Sequence, residues 1–229
     1  MNPHPDKPDT WPSFNPLFIA HDVGRSRDRS TAVIGGNSPF QPSVTGILDL
    51  HELPQNLYGS FRAGELAKID RHYNGNSLII ADLSHDPTYA ESLFDMAGPR
   101  VIGLQITRHG DGRCHEWRPV GHSAMLVYTV GRSYLLELLH TQLQARQIRF
   151  VDGPMSRKAY EQLAGLDREL RETGVVYTCP SGKHDDLGIS CAMLVWASQH
   201  PHQPSWFNAG FAHRRPNPRP RQFGWGAFT

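Results

Sequence analysis

The sequence predicts an α/β fold with one mixed sheet, in which an antiparallel three-strand meander continues into parallel strands and helices cover both faces. Three apolar, β-branched runs follow one another at turn-length spacing within residues 17–50, as in a meander. Beyond residue 60, segments with helical spacing alternate with short apolar runs, as in parallel strands joined by helices. The last helical segment, 185–199, is apolar nearly all round, which predicts a buried helix.

The predicted strands are short apolar runs, and two of them end in an acidic residue. The first, LFIAHD, ends at Asp22, and the fourth, SLIIAD, ends at Asp82. Between them, STAVIGG and VTGILDL complete the meander. The full set of predicted strands is 17–22, 30–36, 44–50, 77–82, 100–106, 148–151 and 175–179.

The predicted helices carry apolar side chains at helical spacing. In the first, over 61–73, three such side chains share one face. Pro87 suits a first helical turn and Gly98 suits a stop, so a second helix lies between them. The remaining predicted helices run through 135–143, through 160–170 with Gly174 closing the segment, and over 185–199.

The composition indicates a globular chain in a reducing compartment. Hydrophobic residues make up 38% of the 229 positions, enough for a buried core. Lys and Arg number 23 and Asp and Glu 22, so the net charge of +1 indicates no particular partner. Three scattered cysteines exclude a disulfide framework and favour a reducing compartment, the cytoplasm. The longest apolar stretch, 189–197, is about half a membrane span, so we expect no membrane partner.

Both ends of the chain differ in composition from the rest. Ten of the 18 prolines lie in 1–16 and 199–229, and the second of these segments has no acidic residue. We therefore divide the chain into a Pro-rich N-terminal extension over 1–16, a domain over 17–198 and a basic C-terminal tail over 199–229. In the tail, Arg214 and Arg215 stand among aromatic residues, which suits phosphate contacts with base stacking and equally suits a solvated tail.

Asp22 and Asp82 are candidate site residues because each ends a predicted strand. Ligands of α/β sheets bind beyond the carboxyl ends of strands, so adjacent strands would bring the two carboxylates to one edge. Such carboxylates repel each other unless a cation lies between them, and Mg²⁺ prefers carboxylate oxygens. The alternative for each residue is an ordinary turn or helix-cap role.

A third carboxylate would come from the doublet Asp185-Asp186, at the start of the predicted buried helix. An acid at this position is stabilised by the helix dipole and can cap free N–H groups, so capping is the alternative role for one of the two. Because one cap does not need two acids, the doublet leaves one carboxylate to bind a cation.

Three segments together resemble the nuclease domain of phage large terminase subunits, which belongs to the RNase H-like and RuvC-like superfamily. The segments are IAHDVGRSRDRSTAVIGG, LIIADLSHDPTYAESL and GKHDDLGISCAMLVWA. Members of that family have an Asp on the first strand before a hairpin, an acid ending the fourth strand, and an HDD-type start of the last core helix. VGRSYLLELLHTQLQARQIRFV resembles the helix and strand before that motif, so the resemblance spans 17–198.

The resemblance implies an RNase H-like fold and hydrolysis of double-stranded DNA with two Mg²⁺ or Mn²⁺ ions. It makes Asp22, Asp82 and Asp186 the metal ligands. Asp185 is the alternative third ligand, because the doublet leaves the alignment with the family motif ambiguous by one residue. His184 would orient a water or carry a proton, or would only contact the helix cap. The candidate nucleic-acid contacts are Lys183, Arg25, Arg27, Arg214 and Arg215.

The sequence departs from the family pattern in two respects. Relatives often carry another acid one turn into the last helix, where Ile189 and Ser190 stand here, which leaves three acidic positions. The chain has no G-x-x-x-x-G-K-[ST] motif and only 16 residues before the first predicted strand, so we expect no ATPase motor in it. A separate packaging ATPase or a portal would then be its partner.

The sequence thus predicts a metal-dependent endonuclease of the terminase type, acting in the packaging of phage or phage-like DNA. The enzymatic alternative is a RuvC-like or transposase-like nuclease with another DNA substrate. The non-enzymatic alternative is a catalytically degenerate RNase H-like module that binds DNA or a partner, and the presence of all four aspartates argues against it.

Overall fold

The computed structural model describes residues 3–14, 16–24, 29–55, 59–84, 87–171, 174–203 and 205–206. Its strands are β1 (Leu17–Asp22), β2 (Thr31–Asn37), β3 (Thr45–Glu52), β4 (Leu78–Asp82), β5 (Val101–Thr107), β6 (Asp111–Val120), β7 (Ser123–Gly131), β8 (Ile148–Phe150), β9 (Asp167–Arg171) and β10 (Gly174–Thr178). Its α-helices are α1 (Gly59–His72), α2 (Pro87–Ala97), α3 (Arg132–Gln144), α4 (Pro154–Ala164) and α5 (Asp186–Gln199).

Eight of these strands form one mixed sheet in the order β6-β7-β5-β4-β1-β2-β3-β8. The meander β1-β2-β3 is antiparallel. On its other side β1 pairs with β4, β4 with β5, and β5 with β7, all in parallel. The predicted mixed sheet, with a meander that continues into parallel strands, is confirmed.

Helices cover both faces because the central strands are apolar on both sides. In β1, Phe18 and Ala20 pack with the cluster that contains α3, α4 and α5, whereas Ile19 packs with α1 and α2 on the opposite face. Strands buried on both faces appear in the sequence as continuous apolar runs. The central helix α5 is buried over all of 187–198, as its uniformly apolar sequence predicts.

The structure corrects the sequence prediction in two regions. The helix predicted through 160–170 ends at Ala164, and β9 follows it and pairs with β10 in a separate two-stranded ribbon. The apolar spacing there does not reflect burial, since Leu170 is 80% exposed. The hairpin of β6 and β7 was not predicted, because β6 is a largely exposed edge strand without apolar alternation.

Segments near both ends of the described chain pack onto the sheet. Trp11 is buried, and its ring fills the space that a side chain at Gly46 would need. At the other end, His200 stacks on Trp206 with 4.7 Å between ring centroids, and both are buried. Among the described helices, none has the length and hydrophobicity of a membrane span.

Candidate active site

The two strand-ending acids lie at one edge of the sheet. Strands β1 and β4 are parallel neighbours in a register that pairs His21 with Ala81, and Asp22 and Asp82 are the next residues along each strand. Both residues line an open cavity of about 720 Å³. The sequence-based placement of the two carboxylates at a shared edge therefore agrees with the structure, while their role stays a prediction.

Residues from four further parts of the fold line the same cavity. Its wall includes the loop after β5, the start of α3, strand β10 and the start of α5. The ionisable and polar groups of these elements that line it include Arg108, His109, Arg132, Tyr134, Asp185 and Asp186. The three sequence segments singled out for their acids thus meet around one cavity.

A chain of hydrogen bonds fixes Asp22 relative to α5. The backbone N–H of Asp22 donates to Ser190 Oγ at 3.2 Å, and Ser190 Oγ lies 2.7 Å from Thr31 Oγ1. Thr31 Oγ1 donates to the backbone oxygen of Asp186 at 3.1 Å, so Ser190 is the donor in the hydroxyl pair. Ser190 therefore ties β1 and β2 to the last helix.

Asp82 is a buried carboxylate held by a tight turn. Its Oδ1 accepts the backbone N–H of Ser84 at 2.9 Å and also the Ser84 hydroxyl. Ser84 Oγ in turn accepts the backbone N–H of Ile106 in β5 at 2.7 Å. These bonds give Asp82 a turn role in addition to its place in the cavity wall, and they fix its carboxylate beside the end of β5.

The start of α5 is capped by a residue outside the acidic doublet. Gln162 Oε1, from α4, accepts the backbone N–H of Leu187 at 2.9 Å and that of Gly188 at 3.3 Å. Asp185 occupies the N-cap position but makes no side-chain cap bond. The capping alternative is therefore wrong for Asp185. Because Gln162 lies 25 positions earlier in the chain, no local sequence pattern indicates its role.

We expect Gln162→Ala to lower the free energy of unfolding by about 1 kcal/mol, the usual effect of losing a helix cap. The two N–H groups at the start of α5 would lose their acceptor within a partly buried region. Urea unfolding followed by far-UV circular dichroism measures the change. Glu161→Ala, an exposed position in the same helix, is the control, and an equal loss in both variants would contradict a capping role for Gln162.

Arg132 is a functional candidate that sequence reasoning missed. It follows β7 directly, and its guanidinium donates to Asp185 Oδ2 and to the backbone oxygen of Tyr177, the latter at 2.7 Å. Burial lowers the pKa of Arg132, while the negative charge of nearby Asp22 acts to raise it. The sequence could have indicated Arg132 only by its position, because the residue that follows a parallel strand lies at the same sheet edge as the acids.

The remaining predicted residues differ in their placement. His184 is exposed, with Nδ1 3.8 Å from Asp186 Oδ2. Lys183 is exposed and lies beside Gly165 at the end of α4, and it is not one of the residues that line the cavity. The candidate nucleic-acid contacts Arg25, Arg27, Arg214 and Arg215 lie outside the described residues.

The candidate ligands have the donor chemistry that Mg²⁺ and Mn²⁺ prefer, since all four are carboxylates. In the part of the chain that the structure describes, no three His, Cys, Asp or Glu side chains are grouped closely enough to hold a metal ion. One of the four carboxylates, Asp185, is paired with Arg132. The residue types thus suit a divalent cation, whereas the described side chains are not arranged as a metal site, and Asp185 is paired with the Arg132 guanidinium.

The sheet order, the meander and the buried last helix define an RNase H-like fold. The large terminase nuclease of the thermophilic phage G20c, known from a crystal structure, has a similar fold, with a TM-score of 0.54, 17% identity, and coverage of 80% of this chain and 81% of that one. The g2p large terminase nuclease domain of bacteriophage SPP1, known from a crystal structure with bound Mn, is similar at a TM-score of 0.48 and 13% identity. The similarity covers 80% of this chain and 86% of that one. No protein-family model and no curated protein matches the sequence.

Proposed function

We propose that this chain is a metal-dependent DNA endonuclease of the terminase type, acting in the packaging of phage or phage-like DNA. One observation carries the proposal: acids from three distant segments line a single cavity at the carboxyl edge of the sheet. These acids are Asp22, Asp82 and the pair Asp185 and Asp186. The fold similarity to the G20c terminase nuclease supports a terminase-type function over other DNA-cleaving functions.

On this proposal the cavity binds two Mg²⁺ or Mn²⁺ ions through Asp22, Asp82 and one carboxylate of the Asp185–Asp186 pair. When bound, such ions activate a water and neutralise charge on the phosphodiester. The carboxylates would otherwise repel each other at one sheet edge, so cation binding removes an unfavourable interaction.

The cationic residues of the cavity wall would orient the DNA backbone. Arg108 and Arg132 line the same cavity as the acids, and phosphodiester cleavage depends on positioning and charge neutralisation more than on covalent chemistry. His184 is exposed beside Asp186, where it would exchange a proton with a water. Double-stranded DNA is then the substrate, a separate packaging ATPase or portal the partner, and the host cytoplasm the location.

Nicking of supercoiled plasmid by the purified chain tests the proposal. We expect cleavage with Mg²⁺ or Mn²⁺, none with EDTA, and none by Asp22→Ala, because that variant lacks a proposed ligand. Glu91→Ala, an exposed position on α2, is the matched control and is expected to cleave as the wild type does. Intact plasmid with both ions, together with retained DNA binding in a gel-shift assay, would favour the binding-module alternative.

A further inference from the structure

Three side chains on one wall of the cavity are not used to hold the fold together. Arg108 and His109 follow β5, Tyr134 lies in the first turn of α3, and all three line the cavity. All three are exposed, and within the described part of the chain their side chains make no hydrogen bond, ion pair or ring contact. A ligand that enters beside the acids would therefore meet them without displacing an internal partner.

The backbone holds this wall in one place. The N–H of Gly131, the last residue of β7, donates to the backbone oxygen of Gly110 at 2.9 Å, so the loop after β5 lies against the start of α3. The approach is close, since Gly110 has a φ of 134° and a side chain there would come within 3.2 Å of the Thr129 backbone oxygen. Tyr134 stands next to the buried Leu135, so its exposed ring is carried by an anchored helix.

The position of Tyr134 distinguishes it from the other exposed aromatic residues. Isolated exposed rings are common on protein surfaces and need no explanation by themselves. Among the described residues, Tyr134, at 41% exposure, is the one exposed large hydrophobic side chain that also lines the acidic cavity. The other exposed aromatic side chains in that part of the chain are Phe40, Phe61, Trp117 and Tyr160. An aromatic ring therefore stands beside the proposed point of DNA cleavage.

The chemistry of this wall matches a single nucleotide. Aromatic side chains stack on nucleobases whatever their identity, and a guanidinium binds the adjoining phosphate. In paired DNA each base is covered on both faces by its neighbours, so a protein ring stacks only on a base that is unpaired or has left the helix. A cavity of about 720 Å³ has the size of a small-ligand site, which suits one nucleotide rather than an intact duplex.

We propose that this wall is a subsite for one unpaired nucleotide next to the bond that is cut: Tyr134 stacks on its base, and Arg108, with His109 beside it, donates to its phosphate. This inference rests on the function proposed above and adds a substrate preference to it. DNA with unpaired nucleotides at the cleavage position, as in a frayed end or a run of mismatches, is preferred over perfectly paired DNA, because its bases are already unstacked.

Binding to two duplexes of equal length and charge, one fully paired and one with a short central run of mismatches, tests the preference. Fluorescence anisotropy in EDTA measures both dissociation constants without cleavage. We expect the wild type to bind the mismatched duplex at least about fivefold more tightly, the lower end of what one base–aromatic stack contributes. Tyr134→Ala and Tyr134→Leu should bring this ratio to within about twofold of one, whereas Tyr134→Phe should keep it, because stacking needs the ring and not the hydroxyl.

Two further variants separate stacking from general effects on binding. Phe61→Ala removes an exposed ring on α1 that does not line the cavity, and it should keep the wild-type preference. Arg108→Gln should reduce the salt dependence of binding to the mismatched duplex by about one phosphate contact, and an unchanged salt dependence would remove Arg108 from the subsite. Thermal unfolding checks that each variant folds.

The outcomes separate this inference from the proposed function. A chain that nicks plasmid with Mn²⁺ but binds the two duplexes equally, or keeps its preference in Tyr134→Ala and Tyr134→Leu, overturns the nucleotide subsite alone. Loss of the preference in Phe61→Ala to the same extent as in Tyr134→Ala has the same consequence. A chain that shows the Tyr134-dependent preference but does not nick plasmid with either ion supports the subsite and overturns the endonuclease.

Discussion

Asp82→Asn is expected to slow Mn²⁺-dependent plasmid nicking by about 100-fold or more, because cation-assisted charge stabilisation is worth several kcal/mol and each 1.4 kcal/mol is about a factor of ten. The fold should survive, since an Asn oxygen can still accept both bonds from Ser84. Without metal, the thermal midpoint should stay the same or rise, because the substitution removes a negative charge beside Asp22. Nicking rates and thermal unfolding are the two measurements.

The pairing of these two results distinguishes a functional carboxylate from a structural one. A purely structural Asp82 would give a lower thermal midpoint and a loss of activity only in proportion to unfolding. Asp95→Asn, at an exposed position on α2, is the control and should change neither quantity. Nicking by Asp82→Asn at the wild-type rate would remove Asp82 from the proposed ligand set.

Acidification is expected to destabilise the fold through His200. The pKa of His200 is lowered from 6.5 to about 4, mainly by burial, with a smaller contribution from the neighbouring His202 and His115. In the unfolded chain this imidazole takes up a proton near pH 6.5, so the unfolded state binds more protons and stability falls as the pH decreases from 6.5 to about 4. At about 1.4 kcal/mol per pKa unit, the loss from this residue is roughly 3 kcal/mol.

Urea unfolding at about pH 7 and about pH 4.5 tests this expectation in the wild type and in His200→Gln. The variant loses the ring contact with Trp206 and should be less stable at neutral pH, but its stability should depend less on pH because glutamine does not titrate. His72→Gln, at an exposed position of α1, is the control and should retain the wild-type pH dependence. Equal pH dependence in all three proteins would exclude His200 as the source.

The parts of the fold that could be predicted are those in which buried positions appear in the sequence as apolar residues. The runs LFIA and LIIA are apolar at every position because both faces of β1 and β4 are covered, and the acid that ends each strand marks the sheet edge. The buried helix α5 is likewise visible from the absence of charged residues over 187–199. These three segments carry Asp22, Asp82 and the acidic doublet, which line one cavity.

The parts that sequence reasoning missed depend on contacts between distant residues or on exposed backbone. Gln162 caps a helix that begins well after its own helix has ended, and Arg132 meets Asp185 53 positions later in the chain. Strands β6 and β9 are held mainly by backbone pairing, so their side chains carry no periodic signal of burial. Leu170 led to the opposite error, a helix predicted where there is none. Its spacing from the preceding apolar residues is helical, but its side chain is exposed in β9.

The bond between the Asp22 backbone and Ser190 spans 168 positions, and this has a consequence for synthesis. At about 5–20 residues per second, the ribosome would release the first of these residues roughly ten to thirty seconds before the second. A nascent polypeptide therefore lacks its central helix α5, and with it the cavity wall that Asp186 forms, until Ser190 and its neighbours have been synthesised. On the function proposed above, the partly synthesised chain would not yet cut DNA.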